Sequence, residues 1–182
     1  MLDSIITSEA RIKLLIRFFV NPKTKAYLRE LSDEFHCSSN SIRVELNRLE
    51  KASLLVSEKR GRNVYYCANT EHPLFPEINS MSKKVVGIDK LHEIVSEIGN
   101  VESAYLMGAL AKGSETAVLD LLLVGDVDKG KLEGIITKVE GMVKKKIRTL
   151  LLSSSEFSKM DDWLKEEGLL LIWNNGLAMG GA

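Results

Sequence analysis

The stretch from Thr24 to Ala68 constrains this chain more than any other, because it reads as helix, tight turn, helix and then a hairpin with a basic tip. Leu28, Leu31 and Phe35 stand at i, i+3 and i+7 and mark one apolar helix face. His36-Cys37-Ser38 breaks the pattern. Ser38 or Ser39 can then cap a second helix, with Ile42, Leu46 and Leu49 at i, i+4 and i+7. Leu54–Lys59 and Val64–Ala68 read as strands joined through Arg60-Gly61-Arg62-Asn63, a Gly-containing turn. The second helix is expected to expose Asn40, Ser41, Arg43, Asn47 and Arg48, and the hairpin tip carries Lys59, Arg60 and Arg62. Such side chains can meet base edges and phosphates. A short helix pair beside a basic hairpin can set a helix in the major groove and a cation beside the backbone. That points to DNA and away from a small substrate.

The whole chain has 182 residues, which suits one large domain or two small ones. Its 45% hydrophobic content supports a real core, and 27% charged residues is ordinary for a soluble protein. No apolar run approaches a membrane span and no signal-peptide pattern opens the chain, so a cytoplasmic protein with no membrane partner is expected. A net charge of zero hides an asymmetry: residues 1–70 hold 12 Lys/Arg against 8 Asp/Glu, and residues 71–182 hold 13 against 17. The basic half coincides with the helix pair and hairpin, which supports a nucleic-acid reading. Cys37 and Cys67 are 30 residues apart, and His36, His72 and His92 do not cluster, so no metal site and no cofactor are expected. The favoured reading of the two cysteines is reduced, small apolar side chains. The sharper one is a redox switch.

Ahead of this region, Ser8 can cap a first helix with an apolar stripe of Ile12, Leu15, Ile16 and Phe19, ended by Asn21-Pro22. Residues 1–70 thus form the expected first domain. Asn69–Ile78, with Pro73 and Pro76, reads as a boundary, and Ser80–Ile98 as a helix that Gly87 can split. Residues 71–100 are expected to act as linker and helix, with a role in dimerisation. From Val101 the texture changes. Val101–Met107, Val118–Val124 and Ile147–Leu152 read as strands, the second a nearly continuous apolar run of the kind buried on both faces. Leu132, Ile135, Ile136, Val139 and Val143 form a helix stripe, and Ser155–Glu167 a Ser-capped helix stopped by Gly168. Residues 101–175 are therefore expected to be a small α/β layer domain, with residues 176–182 a flexible tail. The apolar tail Leu169–Trp173 needs a cover, and together with Ser80–Ile98 it is the expected dimer surface. No internal repeat is present.

Residues 8–70 resemble the winged-helix transcriptional regulators of the broad ArsR-like and MarR-like type. Tyr27–Leu31, Ser38–Leu49 and the hairpin Leu55–Tyr66 carry the resemblance. It implies an α+β winged helix-turn-helix fold, with Ser39–Lys51 as recognition helix and Lys59–Asn63 as wing tip. The CxC metal motif of arsenic sensors is absent, so metal sensing does not carry over. The expected DNA-binding residues are Ser39, Asn40, Ser41, Arg43, Asn47, Arg48, Lys51, Lys59, Arg60, Arg62 and Asn63. Among them Asn40, Ser41 and Arg43 are assigned to bases, since Asn can pair with adenine and Arg with guanine. Arg48, Lys51, Lys59, Arg60 and Arg62 are assigned to phosphates.

Residues 104–126 are similar to the minimal nucleotidyltransferase motif of the polymerase-beta superfamily. In that motif a strand ends in Gly-Ser at a helix start and the next strand carries Asp-x-Asp. Gly-Ser at a helix N-terminus holds triphosphate oxygens, and acids at i and i+2 of a strand clamp two magnesium ions. Here Gly108 stands, but the Ser is Ala109; Asp120 stands, but its i−2 partner is Val118; and Ile147–Leu152, the place for a third acid, has none. One carboxylate does not hold a two-metal centre. A catalytically inactive domain with no catalytic residue and no metal is expected. Gly108, Lys112, Gly113, Ser114 and Asp120 remain as a nucleotide-binding remnant. A domain kept for dimerisation or partner contact is favoured over one that binds nucleotide.

The expected function is a DNA-binding transcriptional regulator whose partners are double-stranded DNA and a second copy of the chain, with room for a nucleotide or small-molecule effector. The alternatives are a nucleotidyltransferase acting on a partner or nucleic acid, and a protein–protein interaction module.

Overall fold

Ser8 accepts a hydrogen bond from the Arg11 amide and starts α1, Glu9–Phe19, in the computed structural model, which describes residues 6–114, 116–160, 162 and 168–175. Leu14, Leu15, Ile16, Phe18 and Phe19 are all buried, so α1 is a central helix rather than one with a single apolar stripe. β1, Ala26–Tyr27, leads into α2, Leu28–Phe35. His36 ends α2 in the left-handed conformation (φ 53°), and the Cys37 amide reaches back to the Ser32 carbonyl at 3.2 Å. The chain turns there, and Ser38 caps α3, Ser39–Lys51, by accepting from the Ser41 amide at 3.2 Å. Ser38, not Ser39, is thus the cap. Ile42, Leu46 and Leu49 enter a core that holds Leu14, Phe18, Leu31 and Leu55. Removing one such side chain to Ala costs roughly 2–5 kcal/mol, so this packing is what fixes α3 in place.

β2, Leu55–Arg60, and β3, Asn63–Ala68, form the expected hairpin, and β1 completes a three-stranded antiparallel sheet in the order β1-β3-β2. Arg60 pairs with Asn63, which leaves Gly61 and Arg62 as a two-residue turn. Gly61 takes φ +60°, and glycine at the first central position with φ above zero is what a type II′ hairpin turn uses.

The chain divides into two compact units, one of Met1–Val86 with Gly113–Glu115, the other of Gly87–Lys112 with Thr116–Ala182. The helical stretch Ser80–Ile98 is split at Gly87, as the sequence allowed, into α4, Phe75–Val86, and α5, Ile88–Ile98, with Gly87 at φ +88° between them. α4 begins inside the stretch read as a boundary, because Pro76 falls in its first turn, where the missing N–H is not needed. It belongs to the first unit: Phe75 meets Phe19 with ring centroids 5.7 Å apart, and the Asn79 side-chain amide donates to the Phe19 carbonyl at 2.5 Å.

In the second unit β4, Val101–Met107, leads through the short turn α6, Gly108–Ala111, to β5, Val118–Gly125. α7, Lys129–Val143, then connects β5 to β6, Lys146–Leu152. α8, Ser154–Ser158, follows, and β7, Leu170–Asn174, closes the described part. The sheet order is β6-β5-β4-β7, with β5 and β6 parallel and the other two pairings antiparallel. Leu121–Val124 of β5 are buried without alternation, the burial of an interior strand.

One expectation needs correction here. Ile88, Leu91, Val95 and Ile98 are at most 5% exposed, because α5 packs on α7, β4 and β7 within its own unit, so they are not a surplus surface for a dimer. The apolar tail is the edge strand β7, paired to β4, and Leu171 is its exposed side chain at 49%. The helix expected over Ser155–Glu167 starts one residue earlier, on a capping box between Ser153 and Glu156, and α8 ends at Ser158; 161 and 163–167 lie outside the described residues. So does the expected flexible tail, 176–182. Among the described residues no helix is long and apolar enough to cross a membrane.

Candidate nucleic-acid interface

With Ile42, Glu45, Leu46 and Leu49 buried, helical periodicity leaves Asn40, Val44, Asn47 and Lys51 on the opposite, outward stripe of α3. All four are exposed, Val44 at 40%. Val44 was not picked out by charge or polarity, yet an exposed branched apolar residue amid asparagines is what touches a thymine methyl in a major groove. Arg43 and Arg48 sit on the two flanks of that stripe, Arg43 toward the hairpin and Arg48 toward α1. Ser39 and Ser41 are exposed at the helix start, and the Ser39 hydroxyl donates to Ser32 Oγ at 3.2 Å.

The arginines are not equivalent. Arg48 Nη1 donates to Glu45 Oε1 at 3.0 Å, and Glu45 is in turn held by Arg11 Nε at 2.8 Å and Ser8 Oγ at 2.9 Å. Burial pushes the Glu45 carboxyl up, but the hydrogen bonds from Arg11 and Ser8 and the charges of Arg11 and Arg48 outweigh it and hold the group below the usual carboxylate range. Sequence reasoning passed over Glu45, although an acid three residues after Ile42, on the apolar side, was a readable signal.

The hairpin sorts its cations by strand alternation. Lys59 is opposite Val64 and shares the face of Ser57 and Tyr66, the face that meets α3, where the Ser57 hydroxyl donates to Glu50. Arg60 lies on the other face with Glu58 and Tyr65, and its Nη2 donates to Glu58 Oε2 at 2.8 Å. Lys25 Nζ also approaches Glu58, at 3.5 Å. The hydrogen bond from Arg60 lowers the Glu58 carboxyl below its ordinary value. Arg60 is thus partly engaged within the chain, whereas Arg62 and Asn63 stand exposed at the turn.

Between α3 and the hairpin runs an open groove of about 370 Å³. Arg43 and Asn47 line it from the helix, Arg62 and Asn63 from the hairpin turn, and Tyr66 from β3. Tyr27 and Arg29 reach it from β1 and α2 and were not anticipated. The Tyr66 phenol is raised by its burial and by the charge of Glu50, with Arg43 pulling the other way.

The residues expected to form a nucleotide-binding remnant are divided between the two units. Gly108 takes φ +66° at the start of α6, and a Cβ there would approach Asp120 Oδ2 at 3.1 Å. Asp120 Oδ1 accepts from Arg148 Nε at 2.6 Å, and Arg148 is its register partner on the parallel strand β6. Lys112 is exposed. Gly113 and Ser114 belong to the first unit, where the Ser114 hydroxyl donates to Glu34 and any side chain at Gly113 would strike the Arg17 backbone. Glu34 also accepts from the buried Arg17, whose Nε lies 3.2 Å away. Among the described residues no group of three or more His, Cys, Asp or Glu is placed to hold a metal ion, and Cys37 and Cys67 are half-buried free thiols.

No protein-family model matches this chain, and no curated protein does. Similar solved structures exist. Reduced HlyU from Vibrio cholerae N16961 is 19% identical with a TM-score of 0.36, over 46% of this chain and 80% of that one. The transcriptional regulator BldR from Sulfolobus solfataricus is 14% identical with a TM-score of 0.37, over 56% of this chain and 70% of that one. A nucleotidyltransferase-like protein from Sulfolobus solfataricus is 18% identical with a TM-score of 0.32, over 54% of this chain and 81% of that one. The neighbours thus include both kinds of protein that the sequence resembles, a regulator and a nucleotidyltransferase-like protein. All three TM-scores lie below 0.5, and the roles assigned below stand on the residues of this chain alone.

Proposed function

We propose that this chain is a DNA-binding transcriptional regulator, with a winged helix-turn-helix as its first unit and a small, catalytically inactive α/β domain of the nucleotidyltransferase type as its second. One observation carries the reading: the outward stripe Asn40, Val44, Asn47 and Lys51 bears no acid and lies beside a hairpin whose turn presents Arg62 and Asn63. In this reading α3 enters the major groove. Asn40 and Asn47 address adenine edges, Val44 a thymine methyl, and Lys51, Lys59 and Arg62 the backbone. One such helix reads few base pairs, so the working form is a homodimer on half-sites about 34 Å apart, acting in the cytoplasm. The second unit supplies assembly or a place for a nucleotide or small-molecule effector, and no cofactor is assigned. The ion pair of Asp120 with Arg148 supports inactivity: the one acid left from the metal-binding set faces a guanidinium, and a cation beside it disfavours a second cation.

Titration of fluorescent duplexes from the region around its own gene tests the reading. Binding at low salt should weaken linearly in log affinity against log salt, as counterion release requires. Absence of binding to every duplex at low salt would end it.

A further inference from the structure

We propose that the groove between α3 and the hairpin seats one phosphate of a DNA backbone, held between Arg43 of the helix and Arg62 of the turn. Arg43 then grips the backbone instead of reading guanine. The inference rests on the DNA-binding reading and adds to it which contact Arg43 makes.

Three features of the groove lead there. First, Arg43 and Arg62 line it from α3 and from the turn, with Arg29 of α2 beside them already 4.0 Å from Asp33, and no carboxylate is among its described lining residues. Like charges brought together without an acid are relieved by an anion, and guanidinium groups take phosphate oxygens in paired hydrogen bonds. Second, two of the neighbouring arginines are already committed. Arg48 is bound to Glu45 and Arg60 to Glu58, whereas among the described residues no carboxylate lies within ion-pairing distance of Arg43 or Arg62. Third, Arg43 is on the flank of α3 that faces the hairpin, beside the Tyr66 phenol, and not on the outward stripe. A major-groove helix meets the base floor with its outward stripe. Its flanks meet the walls, and the walls of the groove are backbone. The Tyr66 hydroxyl is a further donor at the same place.

The test uses the full chain and compares wild type with Arg43→Ala, Arg43→Lys and Arg62→Ala over a salt series and a panel of duplexes. The exposed positions leave folding intact, and circular dichroism checks it. Arg43→Ala and Arg62→Ala should each weaken every duplex by a similar factor, roughly ten-fold, and reduce the salt slope by about one. Arg43→Lys should lose clearly less than Arg43→Ala, because an ammonium still serves a phosphate as a point charge although it lacks the paired hydrogen bonds. A neutral methylphosphonate at one backbone position per half-site should cost wild type what Arg43→Ala costs, and add nothing in that variant. A changed ranking of duplexes at unchanged slope, or Arg43→Lys as damaging as Arg43→Ala, makes Arg43 a base reader and overturns the proposal. So does binding of ATP or inorganic phosphate that Arg43→Ala abolishes while DNA affinity stays as in wild type, since the groove then serves a small phosphate ligand. If wild type binds no duplex, the DNA reading falls and takes this proposal with it; either of the former outcomes leaves the DNA reading standing.

Discussion

A carboxylate among leucines is costly unless it is ion-paired, and Glu45 meets that condition through Arg11, Ser8 and Arg48. The network joins α1 to α3, so the same residue fixes how α3 is presented and where Arg48 stands. Its folded pKa lies below the unfolded glutamate value of ~4.3. A depressed carboxylate adds stability that is present above that value and disappears as pH falls through the folded one. Glu45→Gln should therefore cost about 1.5–3 kcal/mol at neutral pH, the range for hydrogen bonds to charged groups. The gap to wild type should close in acid. Thermal melts of both proteins from neutral to acidic pH check this. Equal melting at neutral pH would show that the network contributes nothing net.

The hairpin depends on one conformational requirement at its turn. Nothing lies within 4 Å of a Cβ placed at Gly61, so space is not what demands glycine; φ +60° is. An L-residue there is strained by roughly 1–2 kcal/mol. Gly61→Ala should lower stability by about that amount in urea unfolding and weaken DNA binding more than its stability loss explains, because Arg62 and Asn63 are aimed by this turn. A variant with lower stability and unchanged DNA affinity would remove the turn from the interface. α3 has the opposite logic. It is placed by Ile42, Leu46 and Leu49 in the core, so its outward stripe can vary in chemistry without moving the helix.

At the scale of the molecule, the second unit is a four-stranded sheet with one parallel crossover, and in the proposed reading it lacks the acids of transfer chemistry. Two-metal transfer needs several carboxylates to bridge the ions and the phosphates, and Asp120 alone, paired to Arg148, does not supply them. Incubation with labelled nucleoside triphosphates and magnesium or manganese should leave protein and RNA unlabelled. Label incorporated by wild type and lost in Asp120→Ala would make the domain a live enzyme. The full chain should also show twice its 20.3 kDa mass by light scattering at micromolar concentration. A monomer mass would leave the two-half-site arrangement without support. α5 does not supply the dimer surface, since its apolar residues are spent on α7, β4 and β7.

Local periodicity by itself determined much of this protein. Three positions on one helix face located α3, and Val101–Met107 matches β4 residue for residue, because helix and strand spacing act between near neighbours and are written in the order of residues. The Gly-containing turn announced the hairpin, and the missing carboxylates were plain from composition at fixed spacing. What depends on distant partners was not legible. Glu45 looks like a misplaced acid until Arg11, 34 residues away, closes on it, and Asp120 looks like a spare ligand until Arg148, 28 residues on, is brought into register. The apolar face of α5 looked like an interface because a sequence shows that a face must be covered without showing by what. Only the tertiary structure decided that α4 joins the first unit, that β7 is a sheet edge and that Arg43 and Arg60 face different surroundings. Periodicity fixes a side chain's direction within its element, and packing alone fixes what lies in that direction.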